Sequence, residues 1–238
     1  ALKKELALRV AGRRLNTIYF GGGTPSLLAY ERVTDILSTI HLFCDVNKDA
    51  EITIEANPGT VDGPYLAAMR KLGINRLSLG VQSLDNAELA MLGRIHTAAE
   101  AREAVHLARN AGFANLNIDM IYGLPGQSLA RWEKTLREAV ALNPEHISLY
   151  PLTLEGDEPI CAVIERGELS SLDPDLAAEH YELSENLPAA QGYGHYEISN
   201  WAKPGYECRH NLVYWLGLPY IGVGAAAHSY IEGHRCAN

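Results

Sequence analysis

The residues best placed to do chemistry form a glycine-rich turn in the segment TIYFGGGTPS, residues 17–26. A strand-like apolar run leads into three glycines at 21–23, which Thr24 and Pro25 follow. Glycines leave the backbone bare, so a ligand can press against it. No GK[ST] sequence follows, which excludes a phosphate-binding P-loop. A tight turn before a helix is the alternative explanation for the same residues.

Other polar residues lie near the ends of four later strand-like segments. They are Glu55, Gln82, Asp119 and Tyr150. In α/β folds the carboxyl ends of parallel strands meet at one edge of the sheet, and ligands bind there. Any one of these residues could instead cap a helix, but their shared position on consecutive strands favours a common site.

The elements that must position these residues alternate along the first two thirds of the chain. Strands are predicted at 15–20, 51–55, 76–81, 116–122 and 146–152. Apolar residues at helical spacing predict helices over 97–112 and 128–142. Strands that recur at intervals of very roughly 30 residues, each followed by a helix, indicate βα units, in either an open doubly wound sheet or a barrel.

The two ends of the chain depart from this pattern. A helix predicted around residues 2–10 has no strand before it, which suggests a βα unit without its strand and an unprotected sheet edge. Near the other end, residues 173–187 predict a helix that Asp173 caps, with Pro174 at its first position. Short aromatic segments follow at 193–198, 206–216 and 220–223, and we expect strands or loops packed beside a barrel. We divide the chain into a barrel core, 1–158, and an extension, 159–238.

Composition narrows the class of protein. The 238 residues are 47% apolar, and 20 basic against 29 acidic residues give a net charge of −9, which argues against nucleic acid as a partner. No apolar run approaches the roughly 20 residues that span a bilayer. The scattered cysteines are Cys44, Cys161, Cys208 and Cys236. Without CxxC or CxxxC spacing they encode no compact metal site, and they are typical of reduced thiols in the cytoplasm.

Several motifs together carry a resemblance to a known family. They are YFGGGTPS at 19–26, IEANP at 54–58, RLSLGVQS at 76–83, LGRIHT at 92–97, NIDMIYGLPGQ at 117–127, YEISN at 196–200 and HNLVYW at 210–215. The chain resembles the radical S-adenosylmethionine superfamily. Within it, the chain resembles the oxygen-independent coproporphyrinogen III oxidases and their branch of HemW-type heme chaperones.

The resemblance implies a fold and a cofactor site. The fold would be an incomplete parallel (β/α) barrel that lacks its first strand, with an α+β extension on the C-terminal side. The residues implied to bind S-adenosylmethionine are Gly22, Gly23, Thr24, Glu55, Gln82, Arg94 and Asp119. A carboxylate can accept hydrogen bonds from ribose hydroxyls or face a sulfonium, and an arginine can fork onto a carboxylate.

The HNLVYW motif implies a heme contact at His210. A neutral imidazole can ligate heme iron, and Tyr214 and Trp215 could line a porphyrin. The alternative is that His210 and Asn211 anchor a loop while the two aromatic residues fill core. Both interpretations stay open at this point.

The cysteines set the expected role of this chain. Radical chemistry in the superfamily needs a [4Fe–4S] cluster held by three cysteines in a CxxxCxxC-type loop, and the four cysteines lack that spacing. We therefore expect no metal ligand in this chain, a cluster in the full-length protein only, and a fragment that is inactive alone.

Three functions remain. The first is a fragment of a HemW-like chaperone with heme or porphyrin, and a heme-acceptor protein, as partners. The second is a coproporphyrinogen III oxidase that forms protoporphyrinogen IX by oxidative decarboxylation. The third is a cluster-free module that binds heme or S-adenosylmethionine. HNLVYW favours the chaperone.

Overall fold

A computed structural model describes residues 1–154, 163–164, 166–167, 169 and 173–238. Cys161 and the predicted division between residues 158 and 159 lie outside the described residues. The strands are β1 (Arg14–Phe20), β2 (Asp45–Ala56), β3 (Arg76–Gln82), β4 (Leu116–Tyr122), β5 (His146–Pro151), β6 (Gly194–Glu197), β7 (Asn200–Ala202), β8 (His228–Ile231) and β9 (His234–Ala237). The helices are α1 (Leu2–Arg9), α2 (Tyr30–Phe43), α3 (Gly63–Lys71), α4 (Asn86–Met91), α5 (Ala98–Asn110), α6 (Leu129–Ala141), α7 (Pro174–Ala189) and α8 (Arg209–Trp215).

The main sheet confirms the predicted barrel-type fold. Its seven strands run in the order β1-β2-β3-β4-β5-β7-β6 and curl into a half-barrel. The first five pair in parallel, as βα units require. Within the described residues β1 pairs with β2 alone, so it forms the open edge that the unpaired first helix suggested.

The convex face of the sheet is apolar because alternate residues of each strand point outward to the helices. Its central residues are Ile52, Ile54, Leu77, Leu79, Leu116, Ile118, Ile147 and Leu149, all buried. Helix α5 begins at a capping box, in which the Thr97 hydroxyl accepts from the Glu100 N–H and the Glu100 carboxylate accepts from the Thr97 N–H. Helix α6 packs Trp132 and Leu136 into the same core. Local sequence therefore specifies this layer.

The concave face is polar along the length of the strands. Besides the predicted strand-end residues, it carries Thr17, Glu51, Arg76, Ser78, Asn117, His146 and Ser148. The expectation that polar residues fall late in each strand was therefore too narrow. The missed signal was strict alternation, as in EITIE and HISLY, which is the period of a strand with one polar face.

The C-terminal segments also depart from expectation. Strands β6 and β7 do not pack beside the sheet; they extend it, since β7 pairs antiparallel with both β5 and β6. Residues 206–216, predicted as strand or loop, contain the helix α8. No helix in the described part of the chain is long and apolar enough to cross a membrane.

Helix α8 bridges the two edges of the half-barrel. The Glu51 carboxylate of β2 accepts hydrogen bonds from the backbone N–H groups of Arg209 (3.0 Å) and His210 (2.9 Å) at its first turn. At the other edge, Asn211 Nδ2 donates to Tyr196 Oη of β6 at 3.3 Å. A residue 158 positions away in the chain thus caps a helix that local sequence does not announce.

Candidate functional site

The concave face encloses one large polar cavity of about 730 Å³. The predicted site residues that line it are Gly23, Thr24, Glu55, Gln82, Arg94, Asp119 and His210. Gly22 joins them through its backbone N–H, which donates to Glu55 Oε2 at 3.3 Å. His210, which the HNLVYW motif implies as a heme contact, lies in this same cavity. Strands far apart in sequence therefore bring all the predicted residues to one place.

Each glycine of the GGG turn has its own physical reason. Gly22 and Gly23 have φ values of +82° and +64°, a region that residues with a side chain rarely adopt. Gly21 is needed for space, because a Cβ there would lie 2.7 Å from Cε1 of Tyr19 and 3.2 Å from Oε1 of Glu55. The triplet therefore shapes the turn and leaves room for the Glu55 carboxylate.

Glu55 is held as an acceptor at the mouth of the cavity. Tyr19 Oη donates to its Oε1 at 2.7 Å, and the Gly22 N–H donates to Oε2. Burial raises the pKa of Glu55, which the hydrogen bond from Tyr19 opposes. A cation placed beside this carboxylate would favour its charged form.

Arg94 is held in the cavity by Asn57, a residue that the sequence analysis did not name. Its Nη2 donates to Asn57 Oδ1 at 2.5 Å and to the Gly80 carbonyl at 3.2 Å. Asn57 Nδ2 then donates to Thr24 Oγ1 at 3.2 Å. Asn57 follows Glu55 by two residues in the IEANP motif, so strand alternation was the signal that could have found it. The four residues fix the orientation of the guanidinium.

Gln82 ends β3 in a strained backbone conformation. Its φ is +67°, and the pairing of β3 with β4 shifts register just before it. A side-chain-bearing residue in this region costs on the order of 1–3 kcal/mol, and such strain collects at functional sites. In this conformation Gln82 lines the cavity beside Gly80. A Cβ added to Gly80 would lie 3.0 Å from Gln82 Nε2.

Asp119 ends a chain of hydrogen bonds that crosses the cavity. Ser78 Oγ donates to its Oδ2 at 3.2 Å and Asn117 Nδ2 to its Oδ1 at 2.8 Å, while burial raises the pKa of the carboxyl. Asn117 Oδ1 pairs with His146 Nδ1 at 2.6 Å, and His146 Nε2 with Tyr196 Oη at 2.8 Å.

The donor and acceptor of each hydrogen bond in this row follow from the groups at its two ends, Asp119 and Asn211. The Asn117 amide donates to a carboxylate, so its oxygen must accept from His146 Nδ1–H. His146 Nε2 then accepts from Tyr196, whose oxygen accepts from Asn211. Burial, with Arg76 nearby, holds the pKa of His146 well below its usual range, which keeps the ring neutral as this arrangement requires.

His210 is held on both ring nitrogens. Nδ1 pairs with Thr17 Oγ1 at 2.9 Å and Nε2 with Tyr214 Oη at 2.9 Å, and the ring stacks on Tyr19 with centroids 5.0 Å apart. Burial lowers the pKa of His210 to about 4, so the ring is neutral at pH 7. These contacts fit an anchoring role, and a heme iron would have to displace one of the two partners. Tyr214 and Trp215, which were expected either to line a porphyrin or to fill core, are half exposed, at 48% and 50%.

The described cysteines do not fit an iron–sulfur cluster. Across the described residues no group of three or more His, Cys, Asp or Glu side chains could hold a metal ion. Cys208 caps α8, where its Sγ accepts from the Asn211 N–H, and burial raises its pKa to about 11. Cys44 and Cys236 lie elsewhere as free thiols.

Comparison with known proteins places these residues in a family context. The model of the Radical SAM superfamily matches residues 2–139. The chain is 42% identical over 224 residues to the heme chaperone HemW of Synechocystis, which is 94% of this chain and 54% of that protein. It is 43% identical over 220 residues to HemW of Escherichia coli, covering 92% of this chain and 57% of that protein.

A solved structure supports the same grouping. Coproporphyrinogen III oxidase (HemN) from Escherichia coli, described as a radical SAM enzyme, superposes with a TM-score of 0.81 at 26% identity. The match covers 98% of this chain and 56% of that one. The chain thus spans just over half the length of the two HemW proteins and of this structure.

Proposed function

The chain belongs to the radical SAM superfamily, and on this premise we propose that the protein is a heme chaperone of the HemW type that binds S-adenosylmethionine in the cavity of its half-barrel. The observation that carries the proposal is the convergence of the seven predicted residues on one cavity. The similarity to two HemW proteins, each above 40% identity, favours the chaperone branch. A cytoplasmic location and a heme-acceptor protein belong to the same proposal.

The lining suits S-adenosylmethionine. Its volume of about 730 Å³ lies in the usual range for small-molecule sites, roughly 300–1,000 Å³. The backbone of the GGG turn and Glu55 would hold the methionine end, while Arg94 offers a fork for a carboxylate. Glu55 and Asp119 would face the sulfonium, whose positive charge offsets the cost of burying them ionised. When bound, S-adenosylmethionine supplies the group from which members of the superfamily generate a radical.

Binding by this chain can be measured directly by calorimetry. We expect S-adenosylmethionine to bind, and Glu55→Gln to weaken binding by tenfold or more, because a hydrogen bond to a charged group contributes about 1.5–3 kcal/mol. Glu103→Gln, on the exposed face of α5, is the matched control and should leave the affinity unchanged. S-adenosylhomocysteine lacks the sulfonium charge, so Glu55→Gln should reduce its affinity less than it reduces the affinity for S-adenosylmethionine. Equal affinity of the two Glu variants would sink the assignment.

The heme part of the proposal rests on the HNLVYW helix. Titration of heme into the wild-type chain and into His210→Ala tests whether His210 is a ligand. Weaker binding with a changed Soret band in the variant supports ligation, since loss of an axial imidazole alters the iron spectrum. Identical affinity and spectrum in both proteins would leave His210 with only its anchoring contacts to Thr17 and Tyr214.

The superposition on HemN favours a second candidate, the oxidation of coproporphyrinogen III. Product analysis separates the two functions. A chaperone yields heme transferred to an acceptor protein and no decarboxylated porphyrin, whereas an oxidase yields protoporphyrinogen IX. Because the described cysteines do not fit a cluster, we derive no radical step from these residues.

A further inference from the structure

The floor of the cavity holds a cation with no partner in contact. Arg76 opens β3 on the concave face, lines the cavity and is 2% exposed. Among the described residues no hydrogen bond reaches its guanidinium, and no carboxylate oxygen lies within 4.0 Å of it. Its Nε is fully buried without an acceptor. A buried arginine stays charged, so such a site is costly unless something accepts its hydrogen bonds.

The carboxylates nearest to Arg76 are committed elsewhere. Glu51 accepts from the first turn of α8, Glu55 from Tyr19 and Gly22, and Asp119 from Ser78 and Asn117. They compensate the charge of Arg76 only at a distance, as the pKa-lowering influence of Arg76 on Glu55 and Asp119 indicates. The guanidinium fork therefore remains available to a ligand.

A second orphaned donor lies beside the first. Thr53 of β2 is directly opposite Arg76 in the β2–β3 register, and its hydroxyl is buried without a hydrogen-bond partner. Residues 51, 53 and 55 alternate with the apolar Ile52 and Ile54, so Thr53 belongs to the same concave face as Glu55. Buried polar groups in native proteins are almost always satisfied, and this pair calls for an acceptor that no described residue supplies.

We propose that Arg76, with the buried Thr53 beside it, forms a carboxylate-binding subsite at the floor of the cavity, separate from the residues proposed for S-adenosylmethionine. A guanidinium and a carboxylate match in a bidentate fork, which is the geometry that Arg76 offers to a ligand of the cavity. His146 beside it is uncharged and Tyr196 carries a hydroxyl, while the nearby carboxylate of Glu51 is held by the first turn of α8. The subsite thus takes an acidic side group of a substrate and rejects cations.

The experiment follows the arginine itself. The wild-type chain, labelled with ¹⁵N-arginine and free of S-adenosylmethionine, is titrated with sodium propionate, and the Nε–Hε resonance of Arg76 is monitored by NMR. Sodium chloride at equal ionic strength controls for screening. Arg70, which donates to the Ile74 carbonyl and stacks on Phe113 outside the cavity, is the internal control. We expect a saturable shift for Arg76 with propionate and none for Arg70.

Two further arms decide the chemistry. Sodium phosphate distinguishes a carboxylate site from a general oxyanion site, and saturation by phosphate but not propionate would overturn the carboxylate assignment. Arg76→Lys keeps the charge and loses the fork, so propionate should bind about tenfold more weakly. No saturable change at Arg76, or an equal change at Arg70, would overturn the subsite. If the lysine variant does not fold, the titration of the wild-type chain still tests the subsite. A negative titration would leave the proposed binding of S-adenosylmethionine untouched, because that binding is measured separately.

Discussion

The same strands build two layers of the cavity, a rim that carries carboxyl groups and a floor that carries an arginine. The rim comprises Gly22, Gly23, Thr24, Glu55, Asn57, Gln82, Arg94 and Asp119. The floor comprises Glu51, Thr53, Arg76, Asn117, His146, Tyr196 and α8. Burial raises the pKa of the rim carboxyls Glu55 and Asp119, because their charged forms are poorly solvated. A cationic ligand would stabilise those charged forms. On the floor the imidazoles are neutral, and no described residue forms a hydrogen bond with the guanidinium of Arg76. One curled sheet can therefore offer contrasting chemistry at two depths.

Removing a floor carboxylate should cost far more than removing a rim one. Glu51→Ala leaves two backbone N–H groups of α8 and the nearby Arg76 uncompensated, and we expect it to lower the free energy of unfolding by about 3–5 kcal/mol. Glu55→Gln should cost less than about 1 kcal/mol, because burying that carboxylate is already unfavourable. Urea unfolding at pH 7 measures both. Comparable losses would erase the distinction between the layers.

Crowding the rim should damage binding and stability together. A Cβ at Gly80 would lie 2.9 Å from Asn57 Oδ1 and 3.3 Å from Arg94 Nη2. Gly80→Ala should therefore cost about 1–3 kcal/mol of stability, as overpacking does, and weaken S-adenosylmethionine binding. Gly63→Ala is the control, since a Cβ there meets only Leu107 at 3.7 Å. If Gly80→Ala binds as the wild type does, the rim contacts are not what orients the ligand.

Acid should act on the two layers with opposite sign. His210 has a native pKa of about 4, below its unfolded value, so its contribution to stability is lost as pH falls from about 6.5 toward 4. Glu55 has a raised native pKa, so its burial becomes less costly as pH falls.

Between pH 7 and 5, His210→Gln should thus lose about 1–2 kcal/mol less stability than the wild type, and Glu55→Gln should lose more. Chemical denaturation at the two pH values gives the difference. A steeper loss in His210→Gln would contradict the buried, neutral imidazole.

The smallest expected effect is a gain in stability at the rim. Gln82→Gly removes the strain of a φ of +67° and should raise the free energy of unfolding by up to about 1 kcal/mol. The same change should weaken S-adenosylmethionine binding, because the amide is lost. Thermal unfolding and calorimetry read the two effects separately. Lower stability in the glycine variant would mean that the side chain of Gln82 contributes more than its backbone costs.

Most of the rim could be predicted from sequence and most of the floor could not; the exceptions are Asn57 on the rim and His210 on the floor. Rim residues stand beside turn signals such as GGGTP, and motif resemblance supplies the rest. Floor residues sit inside strands, where Arg76 and Ser78 alternate with leucines; parallel strands are usually apolar on both faces, so this alternation is a weak signal for a polar face. Helix α8 was missed because aromatic residues in HNLVYW favour strands, while one of its caps, Glu51, comes from a distant strand.

Strand β2 carries a carboxylate of each layer, Glu51 beneath α8 and Glu55 at the mouth. Four residues of extended chain separate them, about 13 Å at the usual rise. The strand therefore fixes the distance between the two layers. On the proposed assignment, a short ligand contacts one layer, while a molecule long enough to reach both Glu55 and Arg76 gains the second contact intramolecularly, at high effective concentration. The proposed subsite would thus select ligands by length through the spacing along the strand.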